Sequence, residues 1–461
     1  MKENNSREMY ANVVVCGGGP AGIAAAISSA RTGAKTLLIE KHGSLGGIPV
    51  SGILSVIGPL DDGDRLLDWE RDKRIENRIS LSKEMMVGNQ IIGGITREIV
   101  DTLSREGAAI DYGYGFIPVN PEVLKRIAEE KAQAEGVEIL YETLLTGAVV
   151  EEGRIKEVLT AGKSGSTKIG GDVFIDATGD GDLSFLAGAP YEKGRETDGR
   201  MQGVTLVFRL GGVKMKGRFF TDCKQIEENN GLFEEYYRKG KTKSLYKVGC
   251  INVIPGMKDV VSVNTQHTHF IDGAVTEDVT RALIAGRREI EEITGLFRRH
   301  LKGFEDAFLL DTASMLGVRE TRRIRGRYVL TSEDVLQARD FQDGIGRNAY
   351  DLDIHLPDES TSANWDSNRT LSEGLSLKPG TSYGIPYRCL IPEGMENLLV
   401  AGRCISATHR AQSSVRIIPC CMVTGQAAGI AGALSSLDEI CPSALDAGLL
   451  RKTIKDAGGI I

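Results

Sequence analysis

A doubly wound α/β domain interrupted by an inserted α+β domain is the fold class this sequence predicts, on three observations. The first is a buried strand that breaks into glycines and resumes as a helix of small residues, VVVCGGGPAGIAAA over residues 13 to 26. The second is the return of that texture, an apolar strand ending in a glycine turn, at DVFIDATGDGD and again at NLLVAG. The third is a change from about Ala189 onward, where alternating strand-like segments and a long helical run replace the glycine turns. At 461 residues the chain is also too long for one ordinary core.

The elements follow in order. Residues 11 to 16 predict a buried strand, Pro20 to Arg31 a helix, Gly33 its stop, and Lys35 to Ile39 a second strand. In NPEVLKRIAEEKAQAEG, Asn120 is the cap and Pro121 the first helical position, with strand VEILYET behind it. LLTGAVVEEG and RIKEVLTAG predict a hairpin about Glu152 and Gly153, and GGDVFIDATGDGD a further buried strand. VTLVFRLGG and VVSVNTQHTHF alternate as strands, and a helix covers roughly 277 to 299. SYGIPYRCLIP and NLLVAG then lead back. The expected division is 1–189 for the first part of the nucleotide-binding domain, 190–381 for the inserted cap or substrate domain, and 382–461 for the return segment and C-terminal helices.

Composition narrows the function. A hydrophobic share of 41% and a charged share of 26% are those of a soluble globular chain. A net charge of −7 argues against nucleic acid and anionic membrane as partners, because neither polyanion would be attracted over long range. The opening MKENNSREMY lacks a signal peptide's apolar core, and no stretch reaches about 18 uninterrupted apolar residues, so a cytoplasmic protein without a membrane span is expected. The eight cysteines contain no C-x-x-C pair, which speaks against zinc, an iron–sulfur cluster or a redox disulfide. The adjacent Cys420 and Cys421 would form only a strained disulfide.

Three glycine stations carry the chemistry. Gly17-x-Gly19-x-x-Gly22 follows a strand and opens a helix, and Glu40 stands 18 residues beyond Gly22 at a strand end. Bare backbone at Gly17 and Gly19 permits a tight turn and close approach of a pyrophosphate, Gly22 lets the helix lie on the strand, and Glu40 accepts from an adenosine ribose. NAD and FAD share this fingerprint. A second turn directly after Glu40, Gly43-Ser44-Leu45-Gly46-Gly47, suits a ligand running on past the adenosine, as do Ala177-Thr178-Gly179-Asp180-Gly181-Asp182 and Ala401-Gly402-Arg403 at two later strand ends. Asp180 and Asp182 have a plain alternative as caps of the next helix.

VVVCGGGPAG with LLIEK, the LGG turn, DATGDGD, and LLVAGRCISA with TGQAAG together resemble the FAD-dependent oxidoreductases of the glutathione-reductase superfamily. GVRETRRIRGRYVLT, DLDIH, SYGIPYRCLIP and LLVAGRCISATHRA resemble, more narrowly, a bacterial FAD-dependent oxidoreductase family whose flavin domain is likened to the heterodisulfide reductase A subunit. The likeness covers about residues 11 to 433. It implies a Rossmann-like FAD-binding domain of glutathione-reductase type, with noncovalent FAD held extended. The adenosine is expected at Glu40 and Lys41, with adenine beside Leu145, and the pyrophosphate at Gly17, Gly19, Pro20, Ala21 and Gly22. The rest of the cofactor is expected along Ala177, Thr178 and Gly179, and the flavin toward Gly46, Gly47, Gly402, Arg403, Gly425, Gln426 and Ala427. Thr424-Gly425-Gln426-Ala427 is taken to start an apolar helix whose positive end would stabilise a reduced flavin. Two departures limit the resemblance: there is no second G-x-G-x-x-G for a nicotinamide, and no C-x-x-x-x-C for disulfide reduction.

For the substrate, RETRRIRGR supplies five arginines, and strand alternation would point Arg319 and Arg323 together, a bidentate site for an organic acid. Pairing with acids such as Glu320 is the alternative. His355 in DLDIH is favoured for proton transfer, and His409, seven residues past Gly402, is a second candidate. Arg403 and Arg416 flank the same region and suit substrate or a negative flavin. His267 and His269 share a strand face, but no third metal ligand is visible. The expected reaction is hydride transfer between a small, anionic organic substrate and flavin N5, with an unidentified electron donor or acceptor. A flavin-carrying electron-transfer subunit acting on a partner protein is the rival reading.

Overall fold

The strand β1 (Arg7–Cys16), the helix α1 (Pro20–Arg31) and the strand β2 (Thr36–Ile39) form the expected βαβ unit in a computed structural model that describes residues 7–63, 88–111, 115–214, 223–355, 375–378 and 380–461. Then come α2 (Gly94–Arg105) and α3 (Pro121–Ala134), the latter capped by Asn120, whose side-chain oxygen accepts from the Glu122 and Val123 amides. β3 (Glu138–Leu140) leads into the hairpin of β4 (Leu144–Glu151) and β5 (Arg154–Gly162), turned at Glu152 and Gly153 with φ of 50° and 76°. β6 (Gly165–Asp176), α4 (Asp182–Leu186) and β7 (Tyr191–Lys193) follow.

The next stretch holds β8 (Phe208–Gly211), α5 (Cys223–Arg238), β9 (Cys250–Val253), β10 (Val260–Asn264), α6 (Thr276–His300) and β11 (Phe308–Thr312). The chain closes with β12 (Arg322–Ile324), α7 (Ser332–Leu336), β13 (Gly344–Asn348), β14 (Tyr383–Pro386), β15 (Leu398–Val400), α8 (His409–Val415), α9 (Ile418–Leu437) and α10 (Ala447–Asp456).

The large sheet has the order β3-β2-β1-β6-β5-β4, with β15 added beside β6. β6 is the fork: its first half pairs antiparallel with β5, while Phe174, Ile175 and Asp176 pair parallel with Leu398, Leu399 and Val400. Strands β3, β2, β1, β6 and β15 therefore run parallel, and their carboxyl ends lie in a row. The smaller sheet, β9-β10-β8-β11, is antiparallel.

Two cores correspond to the two larger sheets. The larger is discontinuous in sequence, uniting residues from Ala11 to Ala189 with residues from Ile324 to Ile454. The smaller runs from Val204 to Leu316 and also takes in Ile53. The Ser262 hydroxyl donates to the Ile53 carbonyl at 2.8 Å, so the chain leaving the Gly46–Gly47 turn is anchored on the smaller sheet.

α9 is apolar all round and long enough to cross a membrane, but 83% of its most apolar window is buried inside the protein. Its glycines let it touch α1. A Cβ at Gly425 would collide with the Ala21 backbone, and one at Gly429 with that of Ala25, so the two helices meet at backbone distance.

Candidate active site

The glycine turns at the ends of β1, β6 and β15 converge. The Ala177 amide donates to the Cys16 carbonyl at 2.8 Å and the Ala401 amide to the Asp176 carbonyl at 2.9 Å, which aligns the three strand ends. A Cβ at Gly17 would lie 2.5 Å from the Ala177 oxygen, one at Gly179 would lie 2.8 Å from Arg403 Nη2, and one at Gly402 would lie 2.9 Å from the Ala21 Cβ. All three have positive φ, 102°, 79° and 83°, which favours bare backbone at each, and at Gly17 the Ala177 backbone adds a steric reason. Gly22 is equally constrained, because its Cβ would collide with the Gly17 oxygen. Gly19 differs: a Cβ there would meet nothing within 4 Å. It caps α1 without a side-chain partner and precedes Pro20, leaving the positive end of the helix facing open space.

Glu40 locks the turn. Its buried carboxylate accepts the Gly18 amide at 2.5 Å through one oxygen and the His42 amide at 2.8 Å through the other, and each oxygen keeps a second lone pair. The Thr143 amide donates to the Glu40 carbonyl at 3.0 Å, bringing the half-buried Leu145 to that end, while Lys41 is exposed. Gly46 donates to the Gly18 carbonyl at 2.9 Å, and a Cβ at Gly47 would lie 2.9 Å from the Gly19 Cα. Asp176 is spent on structure, accepting from the Thr178 and Ser184 amides and hydroxyls.

A second cluster is built from side chains on irregular segments that lie outside the strands of both sheets. Arg319 is buried and donates through Nη1 to the Gly203 carbonyl at 2.6 Å and the Thr205 hydroxyl at 2.8 Å, and through Nη2 to His267 Nε2 at 3.1 Å. Burial, with Arg416 nearby, pulls its guanidinium down to about 9. The His267 ring stacks on His355, centroids 5.2 Å apart and planes 15° apart. His355 Nε2 lies 3.4 Å from Asp353 Oδ2, which also accepts from Arg416 Nη2 at 3.0 Å and the Tyr350 hydroxyl at 3.1 Å. Burial and then Arg319 hold His355 down to about 4, against the opposing pull of Asp353. Against its burial, His355 and then Arg416 and Arg319 hold the Asp353 carboxyl far below the usual carboxylate range. Among the described residues, His355 Nδ1, Arg416 Nε and Arg403 Nη1 are buried without a hydrogen-bond partner.

A model of the family described as FAD dependent oxidoreductase matches residues 12–454 of this chain. The chain belongs to that family. The FAD-dependent oxidoreductase is also similar to dihydrolipoyl dehydrogenase of Vibrio parahaemolyticus, 34% identical over 102 residues, covering 20% of this chain and 21% of that one. The mitochondrial dihydrolipoyl dehydrogenase of Pisum sativum is 28% identical over 157 residues, 31% of each chain. The match thus spans from about a fifth to under a third of these relatives' length. Among solved structures, a geranylgeranyl bacteriochlorophyll reductase-like protein of Thermoplasma acidophilum is similar with a TM-score of 0.47 and 13% identity, over 98% of this chain and 85% of that one.

FAD is the cofactor of this family, and the residues present fit it. Gly17 and Gly22 are glycine because neighbouring backbone fills the space, whereas Gly19 fronts open space at a helix N-terminus, as a pyrophosphate requires. The structure corrects the expectation at the flavin end. α9 begins at Ile418, with Pro419 in its first turn, so Thr424 to Ala427 lie inside the helix rather than at its start. Gly425 serves contact with α1, Ala427 is fully buried, and Gln426 accepts the Ile95 amide at 3.0 Å, tying α9 to α2. The free helix end is at Ile418 to Cys421, and a Cβ at Gly402 would lie 3.8 Å from Cys421 Sγ.

The shared arginine face is corrected too. Only Arg322–Ile324 is strand, so alternation does not reach Arg319. Arg323 turns away into a buried network, donating to the Ala407 carbonyl at 3.0 Å and to Glu320, whose carboxylate is also 2.8 Å from His409 Nδ1. Arg403 is held 2.9 Å from Asp180. Sequence reasoning missed Asp353, Tyr350 and Gln202, the last accepting the His355 amide at 3.2 Å. The acid two residues before His355 was the available signal.

Proposed function

We propose that this FAD-dependent oxidoreductase transfers a hydride between a small anionic organic substrate and flavin N5, with His355 as proton partner. FAD, when bound, supplies the two-electron chemistry at N5. The observation carrying the reading is the set of buried polar atoms without partners, one acceptor on His355 and donors on Arg403 and Arg416. Arg416 and His355 meet on the same oxygen of Asp353, so a carboxylate taken by Arg416 would lie near the His355 ring. His355 is neutral at physiological pH and can accept a proton. Arg319, whose Nη1 hydrogens are both committed, steadies the cluster instead of gripping substrate.

The same reading assigns the large sheet to an FAD domain of glutathione-reductase type. The smaller core, whose buried residues run from Val204 to Leu316, becomes the heart of the inserted cap assigned to 190–381. Gly17, Gly19, Pro20, Ala21 and Gly22 would hold the pyrophosphate, Glu40 and Lys41 the ribose side, Leu145 the adenine. Ala177, Thr178 and Gly179 would run beneath the cofactor toward Gly46, Gly47, Gly402 and Arg403. The family match gives no support to the electron-transfer subunit. The test is an anaerobic screen of small organic acids for bleaching of the bound flavin. One class should bleach it, and His355→Ala and Arg416→Met should slow that bleaching at least about 100-fold; parent rates in both variants would refute the assignment.

A further inference from the structure

The two stacked histidines have determinate proton positions. An arginine has no lone pair, so Arg319 Nη2 at 3.1 Å from His267 Nε2 can only donate, and that nitrogen must be bare. The ring's proton is then on Nδ1, which lies 3.1 Å from the Thr265 carbonyl and can donate to it. Both nitrogens of His267 are thereby committed. On His355 the constraint is reversed. Asp353, paired with Arg416 at 3.0 Å, is a carboxylate that accepts only and lies 3.4 Å from Nε2, so Nε2 carries the proton and Nδ1 is bare. Nδ1 is also the ring nitrogen with no partner among the described residues.

We infer that His267 and His355 are held in opposite neutral tautomers, Nδ1–H and Nε2–H, leaving the His355 Nδ1 lone pair as the one basic atom of the stacked pair open to a substrate hydrogen. His267 is a positioning residue: its stacked ring fixes the plane of His355 and its lone pair fixes Arg319. The inference rests on His355 being the proton partner, and it narrows the substrate. The group facing Nδ1 must bring a hydrogen, as an alcohol O–H or amine N–H does; a carbonyl or ether oxygen would face lone pair to lone pair. The charged and titratable groups about the pair are Asp353, Arg319, Arg416, Tyr350 and, on His267's own segment, His269. None of them supplies a route by which His267 takes up a proton without losing Arg319.

The test is long-range ¹⁵N–¹H correlation of the FAD-bound full chain with labelled histidine, which reads tautomers without turnover. The chain has six histidines, and His355→Gln assigns one signal. The His267 signal is found through His267→Gln or, should that variant not fold, as the signal that moves in Arg319→Met. The expected result is the Nδ1–H pattern for His267 and the Nε2–H pattern for His355, both unchanged from about pH 8 to pH 5.5. In Arg319→Met, the His267 Nε2 signal should move, because the donor facing that nitrogen is lost. An Nε2–H or doubly protonated His267 would overturn the inference, as would an Nδ1–H His355. Bleaching that persists in His355→Gln beside the expected pattern would instead overturn the catalytic reading.

Discussion

Around Gly17–Gly22 the chain presents bare backbone, whereas around Arg319–His355 it presents side chains that hold one another in place. At the first end the contacts that matter join strand ends already fixed by the large sheet, and at Gly17 and Gly22 side chains are excluded because another backbone stands where a Cβ would be. At the second, five charged or ring groups, Arg319, His267, Asp353, His355 and Arg416, share a few contacts, and each is costly to bury alone. The first end should therefore fail by steric collision and loss of cofactor. The second should keep its cofactor and fail by exposed electrostatic imbalance.

The sharpest break is within one turn. Gly22→Ala collides with the Gly17 oxygen and should give protein that is colourless or does not fold, read as the ratio of flavin to protein absorbance. Gly19→Ala meets no protein atom, so its apo melting temperature should stay within about 2 °C of the parent. FAD should nevertheless bind at least about 10-fold more weakly by titration, the cost of one lost close approach. Equal effects from the two would erase the distinction between glycines required by the fold and a glycine required by the ligand.

At the other end, Asp353→Asn leaves Arg416 and His355 without their shared carboxylate and should cost about 3 kcal/mol in urea unfolding while FAD remains bound. Acid should act on the same place. His355 is held down to about 4, below its ordinary value near 6.5, so the unfolded chain binds the extra proton first. Stability is then fully present above about pH 6.5 and falls as pH drops toward 4, by on the order of 3 kcal/mol from this group. His355→Gln should flatten that part of the pH profile. The smallest effect belongs outside both ends: Lys452→Ala removes an exposed pair with Asp456 and should change stability by less than about 0.5 kcal/mol.

What could be read from the sequence follows the same division. The strand–turn–helix units and the glycine stations are local patterns, and their convergence follows from parallel strands ending side by side. The side-chain cluster is not local. Arg319 finds Gly203, Thr205 and His267 more than 50 residues away, and alternation misplaced Arg323 because β12 is three residues long. The helix expected to start at Thr424 starts instead at Ile418, and Pro419 in its first turn is the sequence signal for that start. Asp353 was legible as the acid beside His355, yet its second partner, Arg416, was visible only once the chain was folded.

The claim on which the rest depends is that the glycine turns lay FAD along the strand ends with its ring facing the cluster of Arg403, Arg416 and His355. A crystal structure of the FAD-bound chain tests this most directly. The phosphates should lie on the Gly19 backbone at the start of α1, and the ring should border Arg416 and His355 Nδ1. A ring turned away from that cluster, or phosphates seated elsewhere than at Gly19, would contradict it.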